Sequence, residues 1–365
     1  MQRKSFLFLA ALLVLGLLLT TIPVFAADQR VLRVTFAWPD VIDPAMGNDY
    51  AGSSSIVNLY DTLVFPNAKG GVDPWLATSW NVSANGMTYT FHLRAGVTFH
   101  DGAALKASDV VASYDRLKTI GRGFAYLVTP DIAAVRAPDA RTVVFTLVKP
   151  TALFLPSLVR LYVAEEALVK KNTKAEGAYG AHGDYGTAWL QTHDAGSGPY
   201  MVKEFPLEQY LLMTRNAKWW GKFNPRAPDE VRFIGTTEGV TVRTLMQNKQ
   251  LEITDQWQSF EAYQALEKID GVKIAPLSSM TSFYYMMNTK KAPTDDLHFR
   301  RVPDLRRLSG LVNWQAAGNT TVRAVYFHRP PPVAICQVRS KHVFDGTNYS
   351  LHTAACLTLR QRRSL

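Results

Sequence analysis

Between Trp75 and Leu117 the chain spells out a hairpin followed by a helix, and no other stretch limits the fold as tightly. Met87, Tyr89, Phe91 and Leu93 alternate with Thr88, Thr90 and His92. A period of two makes this a strand with one buried face. Asn85-Gly86 just ahead of it supplies the positive φ angles of a tight turn back to Trp80 and Val82. A second turn at Asp101-Gly102 leads to Val110, Tyr114 and Leu117, which share one helix face. Asp109 stands in the first turn of that helix, where the helix dipole favours a carboxylate. The stretch holds no catalytic constellation.

The remaining pattern alternates strands with helices. Arg30–Phe36 reads as a first strand with Leu32, Val34 and Phe36 on one face. Val143–Leu147 is another strand, and a helix is expected near Ala164–Lys171. Ala175–Gly186, rich in Gly, Ala and Tyr, reads as a loop. Short strands follow at Tyr200–Phe205 and Leu211–Thr214 around Pro206, and again at Val231–Ile234. Val242, Leu245 and Met246 form the apolar stripe of a later helix, and Gly271–Ile274 leads a further strand. Such alternation implies a mixed α/β protein built of layered sheets.

Residues that could carry chemistry do not assemble into a mechanism. His100-Asp101 in a Phe-His-Asp-Gly turn reads as turn capping rather than half a dyad. His182, His193 and Asp194 lack metal-ligand spacing, and no His-Glu-x-x-His occurs. Gly196-Ser197-Gly198 lacks the order of a nucleophile elbow and reads as a turn between strands. Glu165-Glu166 and Asp295-Asp296 are adjacent and point apart on a helix or strand, so neither serves as an acid/base pair. The sequence thus gives no catalytic residue, no metal ligand set and no cofactor, and points away from an enzyme.

The two ends differ from the body. Arg3 and Lys4 precede an apolar run from Phe6 to Ile22, and Val24-Phe25-Ala26 offers a cleavage site. Residues 1–26 are therefore expected to be a secretory signal peptide. No Cys follows the run, so a lipoprotein anchor is not expected. The formal net charge is +10, but its distribution argues against nucleic acid. Residues 302–365 carry eight Arg and one Lys against two Asp, a net +7, and the signal adds +2. The body is left nearly neutral, which is not the pattern of a basic-patch protein. The same tail holds Cys336 and Cys356, a triple proline at Pro330–Pro332 and no Glu. No stretch of it keeps a helical or strand period.

The central stretch resembles the large solute-binding proteins of ABC importers, which carry peptides and in some members nickel, opines or sugars. The resemblance rests on Leu76-Ala-x-x-Trp80, then Asn85-Gly86-x-x-Tyr89-x-Phe91-x-Leu93-Arg94-x-Gly96-Val97-x-Phe99-His100-Asp101-Gly102, then Ala107-x-Asp109-Val110. Further matching pieces keep the family's order: Asp43-Pro44-Ala45, Asn58 to Leu63, Thr142 to Pro150, Gly196 to Tyr200, Asn216 with Trp219-Trp220, and Met286 to Thr289. It runs from about Arg33 to Arg300 and then stops. Lys249 stands where relatives usually carry the helix-ending Gly, and Glu252 where Asp is usual.

That resemblance implies an α/β, two-lobed periplasmic binding protein fold of the large peptide-binding class, with an accessory lobe. Residues 27–64 and 185–301 would form the first lobe and 65–184 the accessory lobe. The second large lobe is expected to be missing, and 302–365 to be a non-family tail, disordered or out of frame. Only one wall of the cleft would then be present, with tight solute binding lost. The implied function is capture of a peptide or similar small organic solute in the periplasm and delivery to ABC permease subunits. The protein would act as a monomer. Trp38, Tyr50, Tyr126, Trp257 and Tyr284 lie in or beside loops at strand ends, where relatives line their ligand cavity. Aromatic walls suit extended organic solutes. Asp49 could pair with a cationic group of the solute or remain a solvated loop carboxylate. Two other readings stay open: a secreted hydrolase of mixed fold, and an interaction protein whose basic tail docks on anionic membrane.

Overall fold

The structure is a computed structural model that describes residues 30–275 and 288–297. The chain divides into two compact units, Met1–Gln258 and Ser259–Leu365. Tyr284, Met286 and the whole tail after Arg301 lie outside the described residues.

The first unit is organised on two four-stranded sheets. One has the order β1 (Val31–Phe36), β10 (Glu230–Gly235), β9 (Tyr210–Arg215), β8 (Tyr200–Glu204). β1 runs parallel to β10, and the other pairs are antiparallel. Ile253 adds a parallel bridge on the free side of β1, with Thr35 N–H donating to Ile253 O at 3.1 Å. Helix α1 (Tyr50–Leu59) covers this sheet through Ile56 and Leu59. They share a core with Ile42, Tyr60, Leu211, Met213 and Phe233.

The second sheet, β4 (Ala77–Val82), β5 (Thr88–Leu93), β7 (Thr142–Leu147), β6 (Ile132–Asp139), is wholly antiparallel. Tyr89, Phe91 and Leu93 of β5 are buried, as the alternation requires. Helix α2 (Ala107–Ile120) packs on this sheet with Val110, Tyr114 and Leu117 inward. The core is aromatic: Phe91 meets Phe145 edge-on at 5.6 Å, and Phe154 lies 5.4 Å from Phe145. Each buried Phe stabilises by about 1.5–3 kcal/mol through area alone. A small hairpin of β2 (Val64–Pro66) and β3 (Val72–Pro74) links the two sheets in the chain. Tyr162, Ala164 and Val169 pack with the first sheet, whereas Ala45, Leu63 and Val64 pack with the second.

Several local expectations change. The hairpin after Val82 is wider than a two-residue turn: Ser83 and Thr88 are the last bonded pair, with four residues between them. Only Gly86 has positive φ, at 68°. Asn85 instead acts through its side chain, accepting from Met87 N–H at 3.1 Å and from the Ser83 hydroxyl at 2.6 Å. In α4 (Gly239–Gln247; α3 is Glu166–Lys171) only Val242 is buried, while Leu245 and Met246 are half-buried. Residues 271–275 form no strand.

Lys249 ends α4 in the left-handed conformation, φ 56°. Gln250 N–H reaches Leu245 O at 2.8 Å and Lys249 N–H reaches Met246 O at 3.1 Å, the bonding pattern of a glycine-type helix stop. The backbone keeps the geometry that glycine would favour although a lysine occupies it. Glu252, the other departure, accepts from Arg33 N–H at 2.7 Å and pairs with its guanidinium, which ties this segment to β1.

In the second unit, α5 (Phe260–Glu267) begins at Ser259, whose hydroxyl accepts from Ala262 N–H at 3.1 Å. Asn288 likewise fixes a turn, its side chain accepting from Lys290 N–H at 3.0 Å.

Candidate functional site

β1, β10 and the segment through Ile253 run in the same direction and end at one edge of the first sheet. Ligands of open α/β sheets collect outside the carboxyl ends of such strands. Four aromatic side chains stand there. Tyr50, the first residue of α1, stacks on Phe36 at 5.8 Å with 14° between planes. Trp257 meets Tyr50 edge-on at 6.5 Å. Trp38 packs over Gly235, where a Cβ would fall 2.5 Å from its ring, and stacks on Phe205 at 5.3 Å. Tyr50 is 60% exposed and Trp257 52% exposed, although both rings are held by contacts.

Local hydrogen bonds fix this face. Asp49 caps α1, its Oδ1 accepting from Gly52 N–H at 2.7 Å, so the carboxylate has a structural task beside Tyr50. Asp255, 2% exposed, accepts from Trp257 N–H at 2.7 Å and from the Gln258 amide at 2.7 Å. The Gln258 amide also donates to Thr237 O at 3.1 Å, which joins the loop after Ile253 to the loop after β10. Tyr126 sits apart on the second sheet's side, 70% exposed and 6.4 Å from Phe124. Its loop touches the 45–48 segment, where a Cβ on Gly123 would fall 2.8 Å from Ala45 O. The structure thus brings Tyr50 and Trp257 into contact, sets Trp38 against Phe205 at the end of the same sheet, and packs Tyr126 against Phe124 in a loop that bonds to Asn48. Phe36, the partner beneath Tyr50, escaped the sequence reading because its strand alternation marked it only as core.

The family-like motifs serve a different region, the junction of the two sheets. Arg116 and Asp43 form a two-pronged ion pair, both bonds 2.6 Å, with residue exposures of 3% and 0%. Burial alone would lower the Arg116 guanidinium, but Asp43 outweighs it and holds it above its ordinary value. Asp61 accepts from Trp75 Nε1 at 2.7 Å, Ser197 Oγ at 2.9 Å and Trp220 Nε1 at 3.0 Å. Burial raises the Asp61 carboxyl despite these three donors. The backbone of Gly196 touches Leu59 O so closely that a Cβ would stand 1.9 Å away. Ser197 is fully buried and donates to Asp61, so it ties the joint.

His100 also belongs to the junction, which corrects half of the turn-capping expectation. Asp101 does cap the turn, accepting from Ala103 N–H at 2.8 Å. His100 reaches across to Asp194 through Nδ1 and to Gly198 O at 3.0 Å through Nε2. Burial pulls the imidazole down, yet the hydrogen bond and charge of Asp194 leave it above the usual histidine value. A separation of 94 positions between His100 and Asp194 hides this pair from any spacing rule. Among the described residues no cluster of His, Cys, Asp and Glu could hold a metal ion, and no helix is long and apolar enough to cross a membrane.

Comparison with known proteins agrees with this architecture. Residues 71–301 match the family of bacterial extracellular solute-binding proteins, family 5 (middle region), and the chain belongs to that family. It is 30% identical over 330 residues to a probable D,D-dipeptide-binding periplasmic protein, DdpA, of Escherichia coli, a match covering 87% of this chain and 61% of that one. It is 26% identical to the dipeptide-binding protein of the same organism, over 80% of this chain and 57% of the other. The fold matches a periplasmic binding protein, DppA, from Helicobacter pylori, solved with the peptide STSA, at a TM-score of 0.63 and 22% identity. That likeness covers 78% of this chain and 59% of the other. The fold class is therefore that of the periplasmic peptide-binding proteins. The chain spans about 61% or less of the length of the curated relatives it matches.

Proposed function

We propose that this protein is the extracytoplasmic solute-binding component of an ABC importer and takes a peptide or a similar small organic solute in the periplasm. Family membership supports the class, and relatives are named for dipeptide or murein peptide binding. The observation that carries the reading to particular residues is the pair Tyr50 and Trp257. Both are large aromatics left more than half exposed at the carboxyl ends of parallel strands, yet fixed in orientation by Phe36, Asp49 and Asp255. Rings pre-set in this way bind with little loss of rotamer freedom. They recognise backbone and side-chain surface of varied peptides rather than one functional group. Trp38 extends the same wall. Tyr126 and Tyr284 belong to the proposed lining by resemblance, and Asp49 contributes negative charge beside Tyr50. The protein binds its solute without changing it, hands it to membrane permease subunits and acts as a monomer. The test is a titration of the purified chain with di- and tripeptides, followed by Trp fluorescence and calorimetry. With one wall of the cleft expected, the binding is weaker than micromolar, and saturable binding of that kind that Tyr50→Ala and Trp257→Ala each weaken at least tenfold supports the reading. Binding that ignores both substitutions sinks it.

A further inference from the structure

The proposed solute face continues along α1. Tyr50 and Val57 stand seven residues apart, which puts them on one side of the helix and about 10.5 Å apart along its axis. Both are exposed, at 60% and 37%, and Ser53 and Ser54 lie half-buried between them. Beside Val57 opens a hollow of about 140 Å³, walled by Phe65, Trp75, Tyr162 and Arg160. A complete small-molecule site takes about 300–1,000 Å³, so this hollow suits one end of a solute and not the whole of it.

Arg160 is the group in this wall with donors to spare. It ends the short helical turn Leu158–Arg160 and is half-buried. Its guanidinium lies 4.4 Å from the centre of the Phe124 ring, and its one hydrogen bond among the described residues goes to the Tyr162 hydroxyl at 3.4 Å. Other arginines are paired: Arg116 holds both oxygens of Asp43, Arg33 pairs with Glu252 and Arg215 with Asp229. Among the described residues no carboxylate pairs with Arg160. Stacking on a ring fixes the plane of a guanidinium and leaves its in-plane N–H groups for a carboxylate. The remaining polar side chains of the hollow are engaged, Thr62 Oγ1 donating to Val64 O at 2.7 Å and the Tyr60 hydroxyl accepting from Ala195 N–H at 3.3 Å.

Contacts through a second route tie Arg160 to the solute face. Asn48, two residues before Tyr50, donates its side-chain amide to Gly123 O at 3.4 Å. Phe124 follows, with Arg160 over its ring and the exposed Tyr126 at 6.4 Å. The other end of the face carries the opposite charge. Segments 37–50, 236–241 and 254–258 hold Asp40, Asp43, Asp49, Glu238 and Asp255 and neither Lys nor Arg.

We propose that Arg160 binds the terminal carboxylate of the solute whose body lies on Tyr50 and Trp257, so that the protein selects extended solutes ending in a free carboxylate. This rests on the peptide-binding reading of that face. The stretch of about 10.5 Å from Tyr50 to Val57 is three residues of extended chain at about 3.3–3.6 Å each. The last side chain of such a solute enters the hollow against Phe65 and Trp75, and its ammonium end lies toward Asp49.

Calorimetric titration of the purified chain with alanyl-alanyl-leucine and with its C-terminal amide tests it. The native chain is expected to bind the free acid at least tenfold tighter than the amide. Arg160→Met, which keeps a stem against Phe124, should lose at least tenfold toward the acid alone and bind the two peptides alike. Arg160→Lys, with the charge but not the fork, should keep part of the preference. Tyr50→Ala should weaken both peptides equally, and melting curves establish that each variant is folded. Equal binding of acid and amide by the native chain overturns the proposal while leaving the peptide face standing. So does a preference that survives in Arg160→Met, or a loss in that variant that is the same for both peptides. If neither peptide binds the native chain, the reading of the face and this proposal fall together.

Discussion

The junction of the two sheets and the edge where β1 and β10 end are built on opposite terms. At the junction, polar side chains are buried and paired: Arg116 with Asp43, Asp61 with three donors, His100 with Asp194. At the strand ends, apolar rings are left in the open, with Tyr50 and Trp257 each more than half exposed. At the junction most of these buried groups bond to one another. The strand-end face keeps uncovered surface that burial by a ligand would stabilise. Most of the motifs that carry the family resemblance therefore record architecture, and the proposed binding face uses residues outside those motifs.

The largest way to break that contrast is at the buried ion pair. Arg116→Ala leaves Asp43 charged and without its counter-ion, and is expected to lower unfolding free energy by about 3–5 kcal/mol. Urea unfolding measures it, and a loss under 1 kcal/mol would mean the joint is not structural. Phe145→Ala, in the aromatic core of the second sheet, is expected to remove a similar amount, about 3–5 kcal/mol, by leaving a cavity. It should leave peptide titration of the intact fold unchanged.

A smaller effect comes from Glu165, a buried carboxyl at the junction. Glu165 is raised from 4.5 to about 7 in the folded state, so folding takes up a proton between those values. Stability is then full below 4.5 and is lost as pH rises to about 7. Melting temperature should fall by a few degrees across that window, roughly the response expected for 1–2 kcal/mol once solvent screening is allowed for. Glu165→Gln should flatten this part of the profile. His100, also raised, contributes a loss of the same sign above 6.5 that Glu165→Gln leaves in place. An unchanged slope in Glu165→Gln would place the titrating group elsewhere.

The smallest effect is a gain. Lys249→Gly relieves a left-handed lysine at the end of α4. The relief of about 1–2 kcal/mol is partly offset by the greater freedom of glycine in the unfolded chain. A net gain of about 0.5–1 kcal/mol is expected from urea unfolding, and a loss would show that the lysine side chain itself is a needed contact.

Much of the fold was legible in the sequence because it is local. The alternation of Tyr89, Phe91 and Leu93 and the face of Val110, Tyr114 and Leu117 follow from period alone. The hairpin turn departs from the Asn-Gly expectation because Asn85 works through its side chain, a choice that dipeptide identity does not settle. Leu245 and Met246 keep a helical period without full burial, since period does not say what lies opposite. At the candidate site, Tyr50, Trp257 and Trp38 could be named from their loops, but not the stack on Phe36 or the cap by Asp49. His100 with Asp194, and Glu165 with Asp101, join residues more than sixty positions apart. Only the folded chain brings them into contact.

Trp257 offers the most direct measurement, because one substitution reads both regions at once. Trp257→Ala is expected to leave the unfolding free energy within about 0.5 kcal/mol, as for an exposed side chain, while weakening di- and tripeptide binding at least tenfold in a calorimetric titration. A variant that loses stability by several kcal/mol yet titrates peptide like the native chain would contradict the assignment of this face to solute binding.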